Sequence, residues 1–264
     1  MRIVVFTSNA MRHKFIANTL SASVDDALVV SECVAQDTAV TAVAKGGLSP
    51  IEEHLLLRQR AEEEFFKGND FFVAKTLPLM YGEVNLPHVC DIVRRFKPDA
   101  MVVFGSSMIK EPLLSLLPPG HFINLHLGLS PYYRGSGTNF WPFVNGELEY
   151  VGSTILHIDA GIDTGDIITH VRPALESDDT VHTAGCRVIK KSALCLIRII
   201  EMLRSGKRLN RVKQWKVPKV RYYERKDFDE RALVKYKDNL KDGLVDKFLK
   251  NPKTDIRLVA PQVL

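Results

Sequence analysis

Residues 122–135 read FINLHLGLSPYYRG, a short apolar strand that runs directly into turn-forming residues. Side chains two residues apart on a strand share a face, so Asn124 and His126 lie together at the end of this strand. The Gly, Ser and Pro that follow turn the chain away. We therefore expect a carboxamide and an imidazole at the rim of a sheet, where one can donate to an oxyanion and the other can transfer a proton.

Strand and helix patterns alternate on the N-terminal side of this stretch. Apolar runs predict strands over residues 2–7, 28–35, 71–74 and 99–104, and helical patterns cover residues 12–20, 50–66 and 87–96. Ser49 and Glu52 flank a proline as a capping box that starts the second helix. This alternation predicts an α/β fold, Rossmann-like and doubly wound, with a mostly parallel sheet and helices on both faces.

The pattern changes after residue 150. Residues 151–158 and 167–171 predict two strands joined by a turn-rich loop, and a long helix follows over about residues 180–203. The short hydrophilic segment at 204–207 marks a boundary. We expect a core of residues 1–205 and a short extension of residues 206–264, with a hairpin-like piece over 212–223 and short helices. The extension is too small for a large core of its own and should pack on the main domain or on another subunit.

The composition, 45% apolar and 25% charged over 264 residues, is typical of a soluble globular protein. No apolar run reaches the roughly 20 residues of a membrane span, and the N-terminus lacks a signal-peptide pattern. The four cysteines form no CxxC pair, which argues against a disulfide framework and a thiolate zinc site. We expect a cytoplasmic protein without a bound metal.

The positive charge is concentrated in the extension. From Lys207 onward, 17 Lys or Arg residues stand against eight Asp or Glu, a net +9, whereas the rest of the chain carries −4. Such a segment can contact phosphates, although its interleaved acidic residues favour an ordinary solvated surface. No GxGxxG motif follows the first strand and no P-loop occurs, which disfavours NAD and ATP chemistry by those routes.

A second polar cluster, Asp159-Ala-Gly-Ile-Asp163-Thr-Gly-Asp166, lies between the last two predicted strands. Asp and Gly are common turn residues, so the loop alone is as consistent with a turn as with a site. The loop could also bind a divalent metal, but the EF-hand spacing is not met.

The two clusters together resemble the formyltransferases that use 10-formyltetrahydrofolate. The resemblance rests on Asn-x-His, an approximate HxSLLPxYRG and, about 36 residues further on, DxGxDTGDI, and it covers residues 1–205. It implies that Asn124, His126 and Asp163 are catalytic while an amine attacks the formyl carbon. Asn124 would donate to the oxyanion. His126 would accept the amine proton or, if protonated, stabilise the oxyanion, and Asp163 would orient the imidazole or relay a proton through water.

The resemblance also implies ligand-binding residues. The folate would lie against backbone groups and apolar walls formed by Gly105, Ser107, Met108, Ile109, Ile158, Asp159, Gly161 and Ile162. The acceptor would contact Tyr132, Tyr133, Arg134 and Asn139, with Arg134 binding phosphate or fixing the loop. Leu127 and Gly128 depart from the family pattern, which has Pro and Ser at these positions.

The acceptor that the resemblance favours is the amino group of a nucleotide-linked amino sugar. A core with a short extension is the layout of sugar N-formyltransferases, and residues 223–228, YERKDF, are similar to a pattern that follows their dimerisation hairpin. A homodimer through the extension is therefore expected. The extension is shorter than the C-terminal domain of tRNA-formylating members, so tRNA is disfavoured. The resemblance leaves open glycinamide ribonucleotide or a hydroxyornithine-type amine as acceptor, 10-formyltetrahydrofolate hydrolysis, and a non-catalytic folate or nucleotide-sugar binder.

Overall fold

The computed structural model describes residues 1–34 and 47–262. Its strands are β1 (Arg2–Ser8), β2 (Asp26–Cys33), β3 (Lys75–Met80), β4 (Ala100–Phe104), β5 (Phe122–His126), β6 (Tyr133–Gly135), β7 (Ser153–His157), β8 (Ile167–Val171) and β9 (Arg221–Tyr223). One sheet has the order β3-β2-β1-β4-β5-β7-β8. The first five of these strands are parallel, and β7 and β8 are antiparallel to their neighbours. The expected mostly parallel α/β fold is confirmed.

The α-helices of the described residues are α1 (Met11–Ser21), α2 (Pro50–Phe65), α3 (Pro87–Phe96), α4 (Phe140–Asn145), α5 (Val181–Arg204), α6 (Glu230–Lys241) and α7 (Leu244–Lys250). Side-chain caps start three of them. Ser49 and Glu52 form the predicted capping box of α2, Thr180 caps α5, and Asp229 caps α6. These caps satisfy N–H groups that a helix leaves unpaired in its first turn.

Both faces of the sheet are covered. Alternate strand residues such as Val5 and Val102 pack against α1 and α5, whereas Phe6 and Met101 on the other face pack against α3. This alternation follows from the two-residue period of a strand, and it explains why the central strands are apolar on both sides. The sheet is therefore doubly wound, as the sequence predicts.

The C-terminal extension packs on the main domain. Besides the apolar clusters on the two faces of the sheet, the chain has a third apolar cluster. Leu233 and Tyr236 of α6 are buried in it together with Phe140, Trp141 and Phe143 of α4. This placement satisfies the first of the two expectations for the extension. The division into units at residues 1–205 and 206–264, and a homodimer through the extension, stay predictions.

Two predicted elements are wrong. Residues 71–74 form no strand, because Phe71 and Val73 are 81% and 73% exposed, and the strand at this edge of the sheet is β3. Residues 212–223 form no hairpin. Val212 forms an antiparallel bridge with Ile167, whereas β9 pairs in parallel with β6, so each end of the segment finds its partner in the core. The last residue of the predicted second strand, Ala35, lies outside the described residues.

Within residues 1–34 and 47–262, no helix combines the length and the apolar character that crossing a membrane would require.

Candidate active site

The end of β5 meets the loop between β7 and β8. Asn124 Nδ2 donates to Asp163 Oδ1 over 2.9 Å, and His126 Nδ1 lies 3.1 Å from Asp163 Oδ2. The antiparallel pairing of β5 with β7 places Ile123 opposite His157, so the loop that follows His157 begins beside β5, and the strand periodicity aims both side chains at it. The structure thus joins the three residues that the two sequence motifs predict, with each carboxylate oxygen occupied by one of them.

Asp163 is partly buried and ionised. Burial raises the pKa of its carboxyl, yet the charge of His126 and hydrogen bonds from His126 and Asn124 lower that pKa more, with a further contribution from the charge of Arg134. The net pKa lies below the ordinary value. Since donors to the charged form of a carboxylate stabilise it, Asp163 carries its negative charge across the neutral range.

Asp163 also has an unusual backbone. Its φ is 53°, in the left-handed region that non-glycine residues rarely adopt. Gln214 of the extension holds this backbone, because its Nε2 donates to the carbonyl of Asp163 over 2.7 Å and to that of Gly165 over 3.0 Å. No local sequence pattern points to Gln214, which lies 51 residues beyond Asp163.

The space beside the His126 ring is filled by Thr138. A Cβ on Gly128 would lie 2.6 Å from Thr138 Cβ and 2.7 Å from His126 Nε2, closer than real Cβ contacts. The same Nε2 lies 3.4 Å from the carbonyl oxygen of Tyr133. The family pattern has Ser at position 128. The absence of a side chain there in this protein leaves room for the buried Thr138.

The trio lines a cleft of about 890 Å³. Ser107, in the loop after β4, is fixed there because its N–H and hydroxyl donate to the Glu32 carboxylate over 2.6 and 2.7 Å. Met108 and Ile162 remain substantially exposed and provide apolar surface. All eight predicted folate-contacting residues line this cleft, and their contact with folate stays a prediction: Gly105, Ser107, Met108, Ile109, Ile158, Asp159, Gly161 and Ile162.

The predicted acceptor-binding residues do not all line the cleft, in contrast to the predicted folate-contacting residues. Tyr132 and Tyr133 are buried in the third cluster, where the hydroxyl of Tyr132 donates to the carbonyl of Arg257 and that of Tyr133 donates to Glu147. Neither side chain lines the cleft, because the cluster takes up the aromatic rings that follow the β5 turn, and their contact with substrate stays a prediction. Asn139 lines the cleft, with its Oδ1 accepting from the N–H of Gly152.

Arg134 fixes a loop in the structure. Its guanidinium donates to Gln214 Oε1, and its side chain is not part of the cleft wall. Of the two roles considered for Arg134, phosphate binding or fixing the loop, its contacts support the second.

A cationic region forms another part of the cleft wall. Glu62 of α2 faces two guanidinium groups, with Arg12 Nη1 at 2.5 Å and Arg58 Nε at 3.8 Å, which leaves one positive charge in excess. The rings of His54 and His182 lie 4.3 Å apart beside them. These four basic residues are not singled out by any sequence motif, since α1, α2 and α5 meet only in the folded chain.

The two imidazoles are neutral. Burial, followed by the charge of Arg58, lowers the pKa of His54 to about 4. Burial, His54 and Arg58 lower the pKa of His182 to about 3. The Nε2 atom of His182 is buried without a hydrogen-bond partner among the described residues. An anionic group in the cleft would supply an acceptor for an N–H at His182 Nε2 and would balance the excess charge.

Aromatic residues from the extension close this side of the cleft. Tyr223 of β9 stacks on Trp141 at 3.9 Å with nearly parallel rings, and Tyr222 is exposed at the edge of the cleft. In the described part of the chain, no group of three or more His, Cys, Asp or Glu side chains is placed to hold a metal ion.

The family model for formyl transferases matches residues 1–200. The chain belongs to the formyl transferase family. A curated relative within it, the methionyl-tRNA formyltransferase of Geotalea uraniireducens, is 31% identical over 186 residues, which is 69% of this chain and 54% of that protein. The chain thus spans about half the length of this curated relative.

Solved formyl transferase structures share the fold. A sugar N-formyltransferase from a Shewanella species matches with a TM-score of 0.55 and 18% identity over 100% of this chain and 99% of that one. An N-formyltransferase from Helicobacter canadensis, solved in complex with folinic acid and dTDP-3-aminofucose, matches with a TM-score of 0.54 and 16% identity over 87% of this chain and 73% of that one.

Proposed function

We propose that the protein transfers the formyl group of 10-formyltetrahydrofolate to the amino group of a nucleotide-linked amino sugar. The observation that carries this proposal is the contact of Asn124 and His126 with the partly buried, ionised Asp163 at the edge of the cleft. A donor, an imidazole and a carboxylate in mutual contact suit acyl transfer to an amine, in which negative charge develops on oxygen and the nucleophile loses a proton.

The reaction forms one bond and breaks one. The acceptor nitrogen attacks the formyl carbon, the carbonyl oxygen becomes an oxyanion, and collapse of the tetrahedral intermediate breaks the bond to N10 of the folate. The proton lost by the amine passes to N10, with Asp163 as the carboxylate that relays it through water. One Asn124 N–H is held by Asp163, which leaves the second hydrogen of the same amide for the oxyanion.

The His126 ring lies between two hydrogen-bond acceptors. Nδ1 faces the Asp163 carboxylate at 3.1 Å, and Nε2 faces the carbonyl oxygen of Tyr133 at 3.4 Å. Both neighbours are acceptors, so a ring with a proton on each nitrogen satisfies both of them. A ring in this form would stabilise the oxyanion by its charge.

The two ends of the cleft suit different ligands. The apolar wall around Met108 and Ile162 suits a pterin ring, and the complex of the Helicobacter canadensis enzyme with folinic acid supports a folate co-substrate here. The excess positive charge near Arg12 and Arg58 suits the phosphates of a nucleotide-linked acceptor. The fold match to the Shewanella sugar N-formyltransferase, which includes the extension, supports this class of acceptor.

A second candidate is methionyl-tRNA, favoured by the 31% identity to the Geotalea uraniireducens enzyme. The same excess of positive charge suits an RNA phosphate.

The test is a transfer assay with 10-formyltetrahydrofolate and several acceptors: UDP- and dTDP-linked amino sugars, glycinamide ribonucleotide and methionyl-tRNA. Mass spectrometry should find a formyl group on an amino sugar. Asp163→Asn should lose the product, whereas Asp166→Asn, a matched carboxylate change in the same loop, should keep it. Formylation of only the ribonucleotide or the tRNA would replace the proposed acceptor. Release of formate without any formylated amine would make the protein a hydrolase.

A separate variant tests the cationic region. Arg58→Gln should raise the KM for the nucleotide-linked amino sugar that the protein formylates by about 10-fold or more, because one charged contact is worth about 1.5–3 kcal/mol. Calorimetric binding of folinic acid should stay within about 2-fold of the unsubstituted protein. Equal loss for both ligands would remove the acceptor role from Arg58.

A further inference from the structure

Gln214 of the C-terminal extension contacts the Asp163 loop with both ends of its side-chain amide. Nε2 donates to the carbonyls of Asp163 and Gly165 over 2.7 and 3.0 Å, and Oε1 accepts from the guanidinium of Arg134. One half-buried side chain thereby connects the extension, the loop that carries Asp163, and the β6 strand that follows β5.

The loop needs such support because its backbone is strained. Asp163 has a φ of 53°, and a non-glycine residue in the left-handed region costs about 1 kcal/mol or more. A strained residue persists where its surroundings hold it in place. The N–H donors of Gln214 bond the carbonyl of this residue and that of a residue two positions later, so they bracket the strained turn.

Gln214 is itself anchored. Val212 exchanges two backbone hydrogen bonds of 2.7 and 3.0 Å with Ile167, the first residue of β8. The carbonyl of Asn210 lies 2.8 Å from His157 Nε2 at the end of β7. The segment 210–214 is therefore fixed to both strands that flank the Asp163 loop, and it presents Gln214 to the loop from a rigid base.

We propose that Gln214 is a positioning residue that holds the Asp163 loop and Arg134 in the arrangement required for formyl transfer. The assignment rests on the proposed function only in giving Asp163 a part in the reaction. It assigns the extension a role in the active site: residues beyond the family-matched range 1–200 complete the support of the candidate catalytic carboxylate.

Two variants remove the contact in different ways. Gln214→Leu removes the donors and the acceptor with little change in size. Gln214→Glu keeps an acceptor for Arg134 but removes the N–H donors to the two loop carbonyls. The control is Gln262→Leu, since Gln262 ties the same segment through Asn210 and Arg208 without contacting the loop.

The first measurement needs neither folate nor acceptor. A carbon-13 NMR titration of the Asp163 carboxyl, assigned with Asp163→Asn, should show its pKa rising toward the ordinary value in both Gln214 variants. The reason in Gln214→Leu is that displacement of the loop weakens the contacts from His126 and Asn124 that lower this pKa. In Gln214→Glu the added carboxylate raises the pKa as well, so Gln214→Leu is the deciding variant. Gln262→Leu should leave the titration unchanged.

The second measurement is transfer to whichever acceptor the wild-type protein formylates. Both Gln214 variants should lower kcat by about 10- to 100-fold, in keeping with the sensitivity of catalysis to displacements near 1 Å, while the KM for the acceptor changes by less than about 3-fold. An unchanged Asp163 titration in both variants, with a loss of thermal stability equal to that of Gln262→Leu, would reduce Gln214 to a structural residue. A wild-type protein that formylates nothing would overturn the proposed function and leave the titration to decide this inference.

Discussion

Residue 128 has no room for a side chain. A Cβ there would contact Thr138 Cβ at 2.6 Å and His126 Nε2 at 2.7 Å. Gly128→Ser, which restores the family pattern, should destabilise the fold by about 1–3 kcal/mol and displace His126. Adding Thr138→Gly should recover part of the loss, because it removes the nearest atom. Urea unfolding of the single and double variants measures the coupling.

Gly185 provides the control for this substitution. It lines the same cleft, but no atom lies within 4 Å of the Cβ that Gly185→Ala would add. Gly185 lies inside α5, so Ala should keep or raise the free energy of unfolding by up to about 1 kcal/mol. A double variant at 128 and 138 no more stable than Gly128→Ser alone would show that Thr138 is not the limiting neighbour.

The lowered pKa of Asp163 makes stability depend on pH in a defined direction. A carboxyl whose folded pKa lies below its unfolded value of about 3.9 stabilises the fold above that pH, and the stabilisation disappears as pH falls through the folded pKa. Asn tolerates the left-handed backbone, so Asp163→Asn removes the charge without adding strain. The difference in unfolding free energy between wild type and this variant should be largest near pH 7 and shrink below pH 4. An equal difference at both pH values would contradict this charge assignment.

The sequence identifies site residues where they belong to a local motif. Asn124 and His126 are two residues apart on one strand, and Asp163 follows from a motif in the resemblance. Gln214 and Arg58 have no such signal, because their contacts with the site depend on how distant segments pack. The sequence does not show that Tyr132 and Tyr133 are buried away from the cleft wall, because the cluster that buries them includes helices about a hundred residues later in the chain.

Among the elements, the parallel pairing of β6 with β9 links the core to the extension. Gly135 in β6 has a φ of 86°, and a Cβ there would lie 2.1 Å from the carbonyl oxygen of Tyr223. Gly135→Ala should therefore separate the two strands. Gly137→Ala adds a Cβ in the same loop at a φ of 65°, but its nearest contact is 3.5 Å away, so it introduces strain without the collision.

Limited proteolysis measures this difference. Cleavage near residues 216–224 should accelerate about 10-fold or more in Gly135→Ala and much less in Gly137→Ala, because local opening costs less once the strands separate. Equal protection of the segment in both variants would mean that the β6–β9 pairing does not hold the extension.

Local patterns predict the elements of the core better than those of the extension. Capping by Ser49 and Glu52 and the apolar alternation of β5 are encoded within a few residues, and both elements are found where expected. The exposed Phe71 and Val73 have strand-like composition but no sheet beside them, so the prediction there fails. The segment 212–223 has the composition of a hairpin, yet its strand pairs with residues almost ninety positions earlier, which no local pattern specifies.

The stability of the whole molecule depends on the third apolar cluster, where the extension covers α4. Leu233 is 1% exposed in this cluster, next to Val234, which is 58% exposed. Leu233→Ala should lower the free energy of unfolding by about 2–5 kcal/mol, and Val234→Ala by much less. Because the same cluster contains Leu129 and Tyr133, which flank the turn after β5, we expect the core and the extension to unfold in one transition.

Tryptophan fluorescence and far-ultraviolet circular dichroism test this cooperative unfolding in one urea titration. Trp141 and Trp215 lie in or against the third cluster, whereas most of the circular dichroism signal comes from the sheet and helices of the core. The two transitions should coincide in the wild type and shift together in Leu233→Ala. An earlier fluorescence transition in that variant, with an unchanged circular dichroism midpoint, would mean that the extension unfolds independently. The Asp163 loop would then lose the support of Gln214 while the rest of the fold remained intact.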